Sequence, residues 1–264
     1  MKSIENIAVM AGSRVLNIWS GISGFYTYIR SIAMSFHSMR YLRFRSIYSI
    51  IINQTRFTGI DALPFVVLIA LLIGGTVIIQ AMTSLPKFGI EGFLGNLMVI
   101  IIARELGPLI TALIVISRSG SAITAEIATQ KQNGEILSME IMGIDTKLYI
   151  VFPRIMASTL SIFSLIVIFD LIAFVGGYGI SQITVYIPVD VFFQALLNAF
   201  SLKDVLAMVL KSIIFGIIIP LICCFYGFKP RSKFEIPIFV SRAVIRTLFT
   251  ILIINTVVSI LFYL

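Results

Sequence analysis

Charged residues inside long apolar stretches are the most chemically informative feature of this sequence. Four of them lie within runs long enough to cross a membrane: Arg104, Glu105, Asp170 and Lys211. A charge in the middle of a bilayer costs about 2.5–3.5 kcal/mol or more unless it is paired or hydrated. These residues are therefore the first candidates for a functional role. The alternative is that they form buried ion pairs that only fix the register of the helices.

Adjacent charges on one helix cannot point the same way. Arg104 and Glu105 project about 100° apart, so they cannot both face lipid cheaply. Lys211 and Asp170 are the possible partners on other spans. Two isolated carboxylates do not make a chain of proton carriers, and the pattern is therefore weak support for a proton relay.

A polar segment between two apolar runs, residues 118–145, carries a second kind of chemistry. It begins in the small-residue string SRSGSAITAEIA and ends in GEILSMEIMGID. The second string predicts an acidic amphipathic helix that ends at Gly143. Its apolar face could enter a groove on a partner protein. It could instead pack on the membrane surface, although the negative charge of a cytoplasmic leaflet disfavours an acidic helix there.

Several classes of chemistry are disfavoured by composition. The chain has one histidine, His37, and its two cysteines, Cys223 and Cys224, are adjacent within an apolar run. These residues fit no metal-ligand spacing, and they do not form a nucleophile–base set for a membrane-embedded lipid enzyme. No Walker A motif occurs, so we expect that this chain does not itself hydrolyse ATP.

The elements that position these residues follow from the overall composition. Of 264 residues, 59% are hydrophobic and 12% are charged. Soluble domains have about 45–50% apolar and about 25% charged residues. The composition predicts an all-α protein that crosses the membrane several times. The net charge of +8 does not indicate nucleic-acid binding, because most basic residues flank the apolar runs.

Five transmembrane helices are expected. Their approximate bounds are 64–82, 94–117, 149–175, 204–228 and 247–264. An odd number of spans excludes a simple inverted repeat within the chain. A complete transport pathway is therefore expected to need two copies.

The first 60 residues are expected to form an N-terminal interfacial region that precedes the transmembrane region 61–264. Large apolar residues recur there at intervals of three and four, on one helical face: Ile18, Ile22, Phe25, Ile29, Ile32 and Phe36. Such a helix suits the plane of the membrane interface, and a soluble core helix is the alternative. The N-terminus lacks the pattern of a cleavable signal peptide.

The loop charges predict an orientation. Basic residues cluster before the first span, between the second and third spans, and between the fourth and fifth spans. The positive-inside rule then places the N-terminus in the cytoplasm and the C-terminus outside.

One long string carries a family resemblance. The sequence ARELGPLITALIVISRSGSAITAEIATQKQNGEILSMEIMGIDTKLYIVFPRIMA resembles the signature of the MlaE (YrbE) permease family. The likeness continues through Gly176-Gly177, Lys211-Ser212 and the segment 241–243, and it covers most of the chain from about Gln54 onward. Two positions depart from the family pattern. Thr146 replaces the usual proline, and Gly134 stands where a polar or acidic residue is common.

The resemblance implies a function, partners and site residues. It implies the homodimeric permease subunit of a lipid-transporting ABC transporter in a bacterial inner membrane, with ATP bound by a cytoplasmic ATPase subunit and an MCE-domain protein on the outer side. The implied coupling residues are Glu126, Glu135, Met139, Glu140, Gly143 and Asp145. The implied lipid-path residues are Arg104, Glu105, Asp170 and Lys211. An ion-coupled secondary transporter of lipids or other solutes is the alternative function.

Overall fold

The structure is a computed structural model that describes residues 23–32, 34, 44–84, 94–183 and 188–263. Every regular element in these ranges is a helix. Parts of the predicted interfacial helix, including Ile18, Ile22 and Phe36, lie outside the described residues, as does His37.

Five helical stretches of the described chain are long and apolar enough to cross a membrane, which confirms the predicted number. They are Tyr48–Ser84, Gly95–Gln132, Thr146–Ser181, Leu202–Gly227 and Lys233–Tyr263. All five extend beyond the predicted apolar runs, because helices continue past the hydrocarbon where their polar residues can reach water or headgroups.

The first span follows two shorter helices. Helix α1 covers residues 23–32, and α2 covers Phe44–Thr58. A 3-10 turn, Ile60–Ala62, joins α2 directly to the spanning helix α3, Leu63–Ser84.

The buried face of α1 agrees with the predicted one at Phe25 and Ile32 but not at Ile29. Tyr28 and Ile32 are buried and Phe25 is half-buried, whereas Ile29 is 39% exposed. The shift follows from packing, because the Phe25 and Tyr28 rings lie 5.1 and 5.3 Å from the ring of Phe225. An aromatic cluster therefore decides which stripe of α1 faces the bundle.

The second span is one continuous helical stretch with two π-helical segments. It consists of α4 (Leu94–Met98), a π segment (Val99–Leu106), α5 (Gly107–Val115), a second π segment (Ile116–Gly120) and α6 (Ser121–Gln132). The predicted end of this span near residue 117 is therefore not a helix end. The stretch stops at Gly134, whose φ of +79° belongs to the left-handed region. A short helix, α7 (Glu135–Ile141), follows.

The third span is the centre of the bundle. Helix α8, Thr146–Ser181, packs against α2, α3 and α5. It also packs against α10, Leu202–Gly227. Its contact with α3 is close, because a Cβ on Gly74 would lie 2.3 Å from the carbonyl oxygen of Ala173. Small residues of this kind allow membrane helices to approach closely.

The last elements complete the bundle. Helix α9, Val189–Ala199, is a short helix that packs on α4. Helix α11, Ile236–Tyr263, packs on α10 and α6 and begins eleven residues before the predicted fifth span. At about 1.5 Å per residue it is roughly 42 Å long, so part of it must extend beyond a hydrocarbon core of about 30 Å.

Candidate functional site

The first π segment places the predicted charges of the second span against α10 and α11. Glu105 accepts hydrogen bonds from Asn255 Nδ2 at 2.6 Å and from Ser259 Oγ at 2.5 Å. Lys211 Nζ lies 3.7 Å from Glu105 Oε1. Three helices thus meet at one carboxylate, and the predicted pairing of Glu105 with Lys211 occurs in the structure.

Lys211 also binds the backbone of the second span. Its ammonium group donates to the carbonyl oxygen of Arg104 at 2.5 Å and to Ser259 Oγ at 2.8 Å. Lys211 is only 1% exposed, so these partners together offset the cost of burying its charge.

Arg104 has partners that the sequence interpretation did not name. Its Nε lies 2.8 Å from Asp204 Oδ1, and its guanidinium lies 4.2 Å from the centroid of the Tyr263 ring. The Tyr263 hydroxyl donates to Asp204 Oδ1 at 2.9 Å. Asp204 also accepts from the Ser201 backbone amide and hydroxyl, both at 2.9 Å, as the capping box of α10.

These seven residues form what we term the polar cluster: Arg104, Glu105, Asp204, Lys211, Asn255, Ser259 and Tyr263. The cluster contains two cations, Arg104 and Lys211, and two carboxylates, Glu105 and Asp204, so its formal charges sum to zero. The side chains of Arg104 and Glu105 remain 22% and 37% exposed although they lie within a spanning helix. The cluster therefore leaves charged groups partly exposed within a candidate spanning helix rather than burying all of them.

Sequence signals for the missed members existed, but they were weak. Asp204 lies seven residues before Lys211, which places both on one face of α10. Asn255 and Ser259 are four residues apart in the last span, also on one face. Spacing on one helix, however, does not tell which face of another helix it meets.

Asp170 does not join the polar cluster. It is 6% exposed, and neither carboxylate oxygen has a hydrogen-bond partner among the described residues. It lies against the second span at Gly107, where a Cβ would come 2.2 Å from Asp170 Oδ1. The predicted pairing of Asp170 with Arg104 or Glu105 is thus absent, because Gly107 occupies the position that faces it.

At the other end of the bundle, two glycines bound the acidic helix α7. Gly134 precedes it with a φ of +79°, and Gly143 follows it with a φ of +76°. The amide of Gly143 donates to Glu140 O and that of Ile144 donates to Met139 O, both at 3.0 Å. This is a Schellman arrangement, and it ends the helix at the glycine that the sequence indicated.

The side chains of α7 divide into two faces. Ile136 is buried and Met139 is half-buried against the bundle. Leu137 and Ile141, four residues apart, are 60% and 78% exposed. The exposed apolar pair, together with the exposed Glu135 and Glu140, defines what we term the α7 outer face.

The start of α8 is tied to α7. Asp145 is the N-cap, and its carboxylate accepts from the amides of Lys147 at 3.2 Å and Leu148 at 3.3 Å. Thr146 Oγ1 donates to Glu140 Oε1 at 3.2 Å. Asp145 and Gly143 thus shape the α7–α8 connection, while Glu140 links the two helices through its side chain.

Glu126 connects another pair of helices. Its Oε2 lies 2.8 Å from Arg154 Nη2, and Arg154 is only 5% exposed. This ion pair joins α6 to α8. Glu126, Glu135 and Glu140 are all exposed, but Glu126 and Glu140 also have partners on α8.

Residues 51–261 match the sequence profile of the family described as Permease MlaE. The chain belongs to the MlaE permease family.

Relatives match across most of their length. A probable ABC transporter permease protein of Rickettsia felis is 27% identical over 98% of both chains. A probable ABC transporter permease protein of Rickettsia typhi is 31% identical over 68% of this chain and 70% of its own. The intermembrane phospholipid transport system permease protein MlaE of Haemophilus influenzae is 29% identical over 77% of both chains.

The two departures from the MlaE pattern have structural explanations. Gly134 adopts a left-handed conformation that glycine adopts without strain. Thr146 occupies the first turn of α8, where proline is also favourable, but its hydroxyl makes the bond to Glu140 that proline could not make.

Proposed function

We propose that this chain is the permease subunit of an ABC transporter that moves phospholipids or related lipids between the inner membrane and the cell envelope. The observation that carries the proposal is a polar, partly exposed charge cluster at membrane depth in a member of the MlaE permease family. The name of the Haemophilus influenzae relative, which assigns it to intermembrane phospholipid transport, supports lipid as the substrate.

The proposed lipid path passes the exposed side of the polar cluster. The side chains of Arg104 and Glu105 both remain partly exposed. A headgroup that crosses the membrane needs polar partners at this depth, because unpaired charges in hydrocarbon are costly. In this proposal Lys211 and Asp204 hold the two path residues in place.

The energy for transport comes from a separate ATPase subunit, which binds ATP. The α7 outer face is the proposed docking surface, with Leu137 and Ile141 as the apolar contacts and Glu135 and Glu140 as the rim. The Glu126–Arg154 ion pair would pass a displacement of this face to α8. The work is a population shift between two arrangements of the transporter, driven by the different affinities of the ATPase for each.

The proposed assembly contains two copies of this chain, the ATPase and an MCE-domain protein on the outer side. In the proposed orientation, the end of the bundle that carries α7 and the α10–α11 loop faces the cytoplasm, and the C-terminus faces the periplasm. The basic residues at the α7 end support this orientation through the positive-inside rule.

An ion-coupled carrier remains the second candidate, and one observation favours it. Asp170 is a buried carboxyl group without a partner among the described residues, and carriers use such groups to bind protons or cations.

The deciding experiment is co-purification of the ATPase from cells that express the full transporter. Leu137→Asp with Ile141→Asp places two charges on the α7 outer face without touching the bundle core. We expect this double variant to lose the ATPase and lipid transport while the permease still folds. Phe234→Asp is the matched control, because Phe234 is 91% exposed at the same end of the bundle and should tolerate the change.

The charge of the same face can be tested separately. Glu135→Lys and Glu140→Lys should weaken the ATPase or uncouple its turnover from transport in lipid nanodiscs. Normal transport by all of these variants, without any co-purifying ATPase, would refute the ABC proposal and favour the ion-coupled carrier.

A further inference from the structure

A group of unpaired cations surrounds the junction between α10 and α11. Residues 229–246 contain five basic residues and one acidic residue, Glu235. Glu235 Oε2 accepts from the backbone amide of Arg231 at 2.9 Å. Among the described residues, ion pairs engage Arg104, Arg118, Arg154 and Lys211, and none engages a basic side chain of this junction.

Three of these cations lie where the end of α10 packs against the start of α11, as shown by Cys223 Sγ, which lies 3.9 Å from Thr247 Oγ1. Lys229 Nζ lies 4.0 Å from the centroid of the Phe225 ring and 5.0 Å from that of Tyr226. Partial burial lowers the pKa of Lys229, and the positive charges of Arg242 and Arg246 lower it further. Arg242 and Arg246 are four residues apart on one exposed face of α11. We term Lys229, Arg242 and Arg246 the basic junction.

The backbone around the basic junction is held in place. Lys131 Nζ donates to the carbonyl oxygen of Phe228 at 2.5 Å, and Gln132 Nε2 donates to that of Pro230 at 2.9 Å. Residues of α6 thereby fix the chain on both sides of Lys229. The fold therefore holds these cations near one another although their mutual repulsion opposes this arrangement.

The position along α11 corresponds to the level of lipid headgroups. Measured from Tyr263 at the opposite end of the helix, Arg246 and Arg242 lie about 26 and about 32 Å along the axis. A hydrocarbon core is about 30 Å thick. Two exposed apolar side chains lie near the cations on α11: Ile238 at 51%, one turn before Arg242, and Ile245 at 50%, next to Arg246. Basic residues mixed with exposed apolar residues are typical of a surface in contact with a membrane interface.

We propose that the basic junction binds the phosphate headgroup of an anionic phospholipid from the leaflet at this end of the bundle. This site is separate from the polar cluster, which lies toward the opposite ends of α10 and α11. A bound phosphodiester relieves the repulsion among the three cations and supplies the counter-charge that the described chain does not provide. Basic pockets between membrane helices on the cytoplasmic side bind anionic headgroups in this way.

The test measures lipid retained by the purified full-length chain, by native mass spectrometry, with phosphatidylglycerol and phosphatidylcholine as probes. We expect the wild-type chain to retain phosphatidylglycerol preferentially. Neutralising the junction with Lys229→Gln, Arg242→Gln and Arg246→Gln should reduce this retention by about fivefold for each cation removed. Arg242→Lys with Arg246→Lys keeps the charge and should retain most of the preference.

The matched control is Lys203→Gln, which removes an exposed cation at the opposite end of α10 and should leave retention unchanged. Equal retention of the two lipids by the wild-type chain would overturn the proposal without requiring any variant. Displacement of phosphatidylglycerol by inorganic phosphate at equal concentration would identify a soluble anion as the ligand instead. Unchanged lipid retention with loss of the ATPase in the triple variant would make the junction a protein-docking surface.

The lipid assay is independent of transport. It needs neither ATPase nor MCE-domain protein, so a failure of the proposed transport function would leave its result intact.

Discussion

At the scale of single residues, the polar cluster shows how a membrane protein keeps charges inside its spans. Arg104 and Glu105 point to different partners, as adjacent helical residues must. Lys211 is buried, yet it contacts a carboxylate, a hydroxyl and a backbone carbonyl. These contacts connect the helices, and the side chains of Arg104 and Glu105 nevertheless stay partly exposed. The two interpretations of the charges, as ion pairs between helices and as residues of a lipid path, are therefore compatible.

The pairing of Lys211 with Glu105 leads to the first prediction. Lys211→Met should leave Glu105 without its counter-ion and lower the midpoint of thermal unfolding in detergent. Adding Glu105→Gln should recover part of this loss, because the double variant has no unpaired charge. Since Glu105 is partly exposed, we expect a coupling free energy of about 1–3 kcal/mol. Additive losses in the two single variants would contradict direct pairing.

Asp170 leads to the second prediction. Asp170→Asn removes a buried carboxyl group that has no partner among the described residues, so the unfolding midpoint should stay the same or rise. Asp204→Asn is the comparison variant. Because Asp204 is paired with Arg104, its neutralisation should lower the midpoint of thermal unfolding. A comparable drop for both variants would show that Asp170 has a partner. Loss of transport by a stable Asp170→Asn chain would favour the ion-coupled carrier.

At the scale of elements, the connection between α7 and α8 depends on caps and on one side-chain bond. Gly134 and Gly143 allow the left-handed turns at either end of α7, and Asp145 caps α8. The Thr146–Glu140 hydrogen bond joins the two helices directly. The ends of α7 could be predicted from its glycines, whereas the bond from Thr146 could not, because it depends on how the two helices are oriented.

The third prediction concerns this connection. Thr146→Val removes the hydroxyl but keeps the branched shape, so α8 should form normally while α7 becomes less well held. Amide hydrogen exchange in α7 should increase by about two- to tenfold, as expected for loss of one hydrogen bond worth about 0.5–1.5 kcal/mol. Thr129→Val is the control, because its hydroxyl bonds only within α6, to Ala125 O. Unchanged exchange in α7 would show that the bond contributes nothing to its position.

At the scale of the whole molecule, close helix contacts hold α8 at the centre. Gly74 of α3 packs against the backbone of Ala173, and a Cβ on Gly177 would lie 2.6 Å from Gly74 C. Small residues in a membrane span allow another helix to approach, but the sequence does not indicate which helix meets Gly74.

The fourth prediction follows from this contact. Gly74→Ala should force α3 and α8 apart and lower the unfolding midpoint, with a cost of about 1–3 kcal/mol from overpacking. Gly179→Ala is the matched control in α8, because a Cβ there has no atom within 4 Å and alanine favours the helix. Equal midpoints for both alanine variants would show that the α3–α8 contact adjusts without strain.

The sequence by itself determined the class of the protein, the number of spans, the family and three of the four charged residues in the polar cluster. These depend on hydrophobicity, on helical periodicity and on local motifs, all of which act over short distances along the chain. The end of α7 at Gly143 could also be predicted from the sequence, because a helix end depends on neighbouring residues in the chain.

Only the tertiary structure decided which charges meet. Asp204, Asn255, Ser259 and Tyr263 joined the cluster, and Asp170 did not, because partners on different helices depend on rotation and register. The π segment and Pro108 alter the register of the second span relative to a regular helix. Long-range packing also decided the buried face of α1 and the convergence of the basic junction, where the contacts come from helices far apart in sequence.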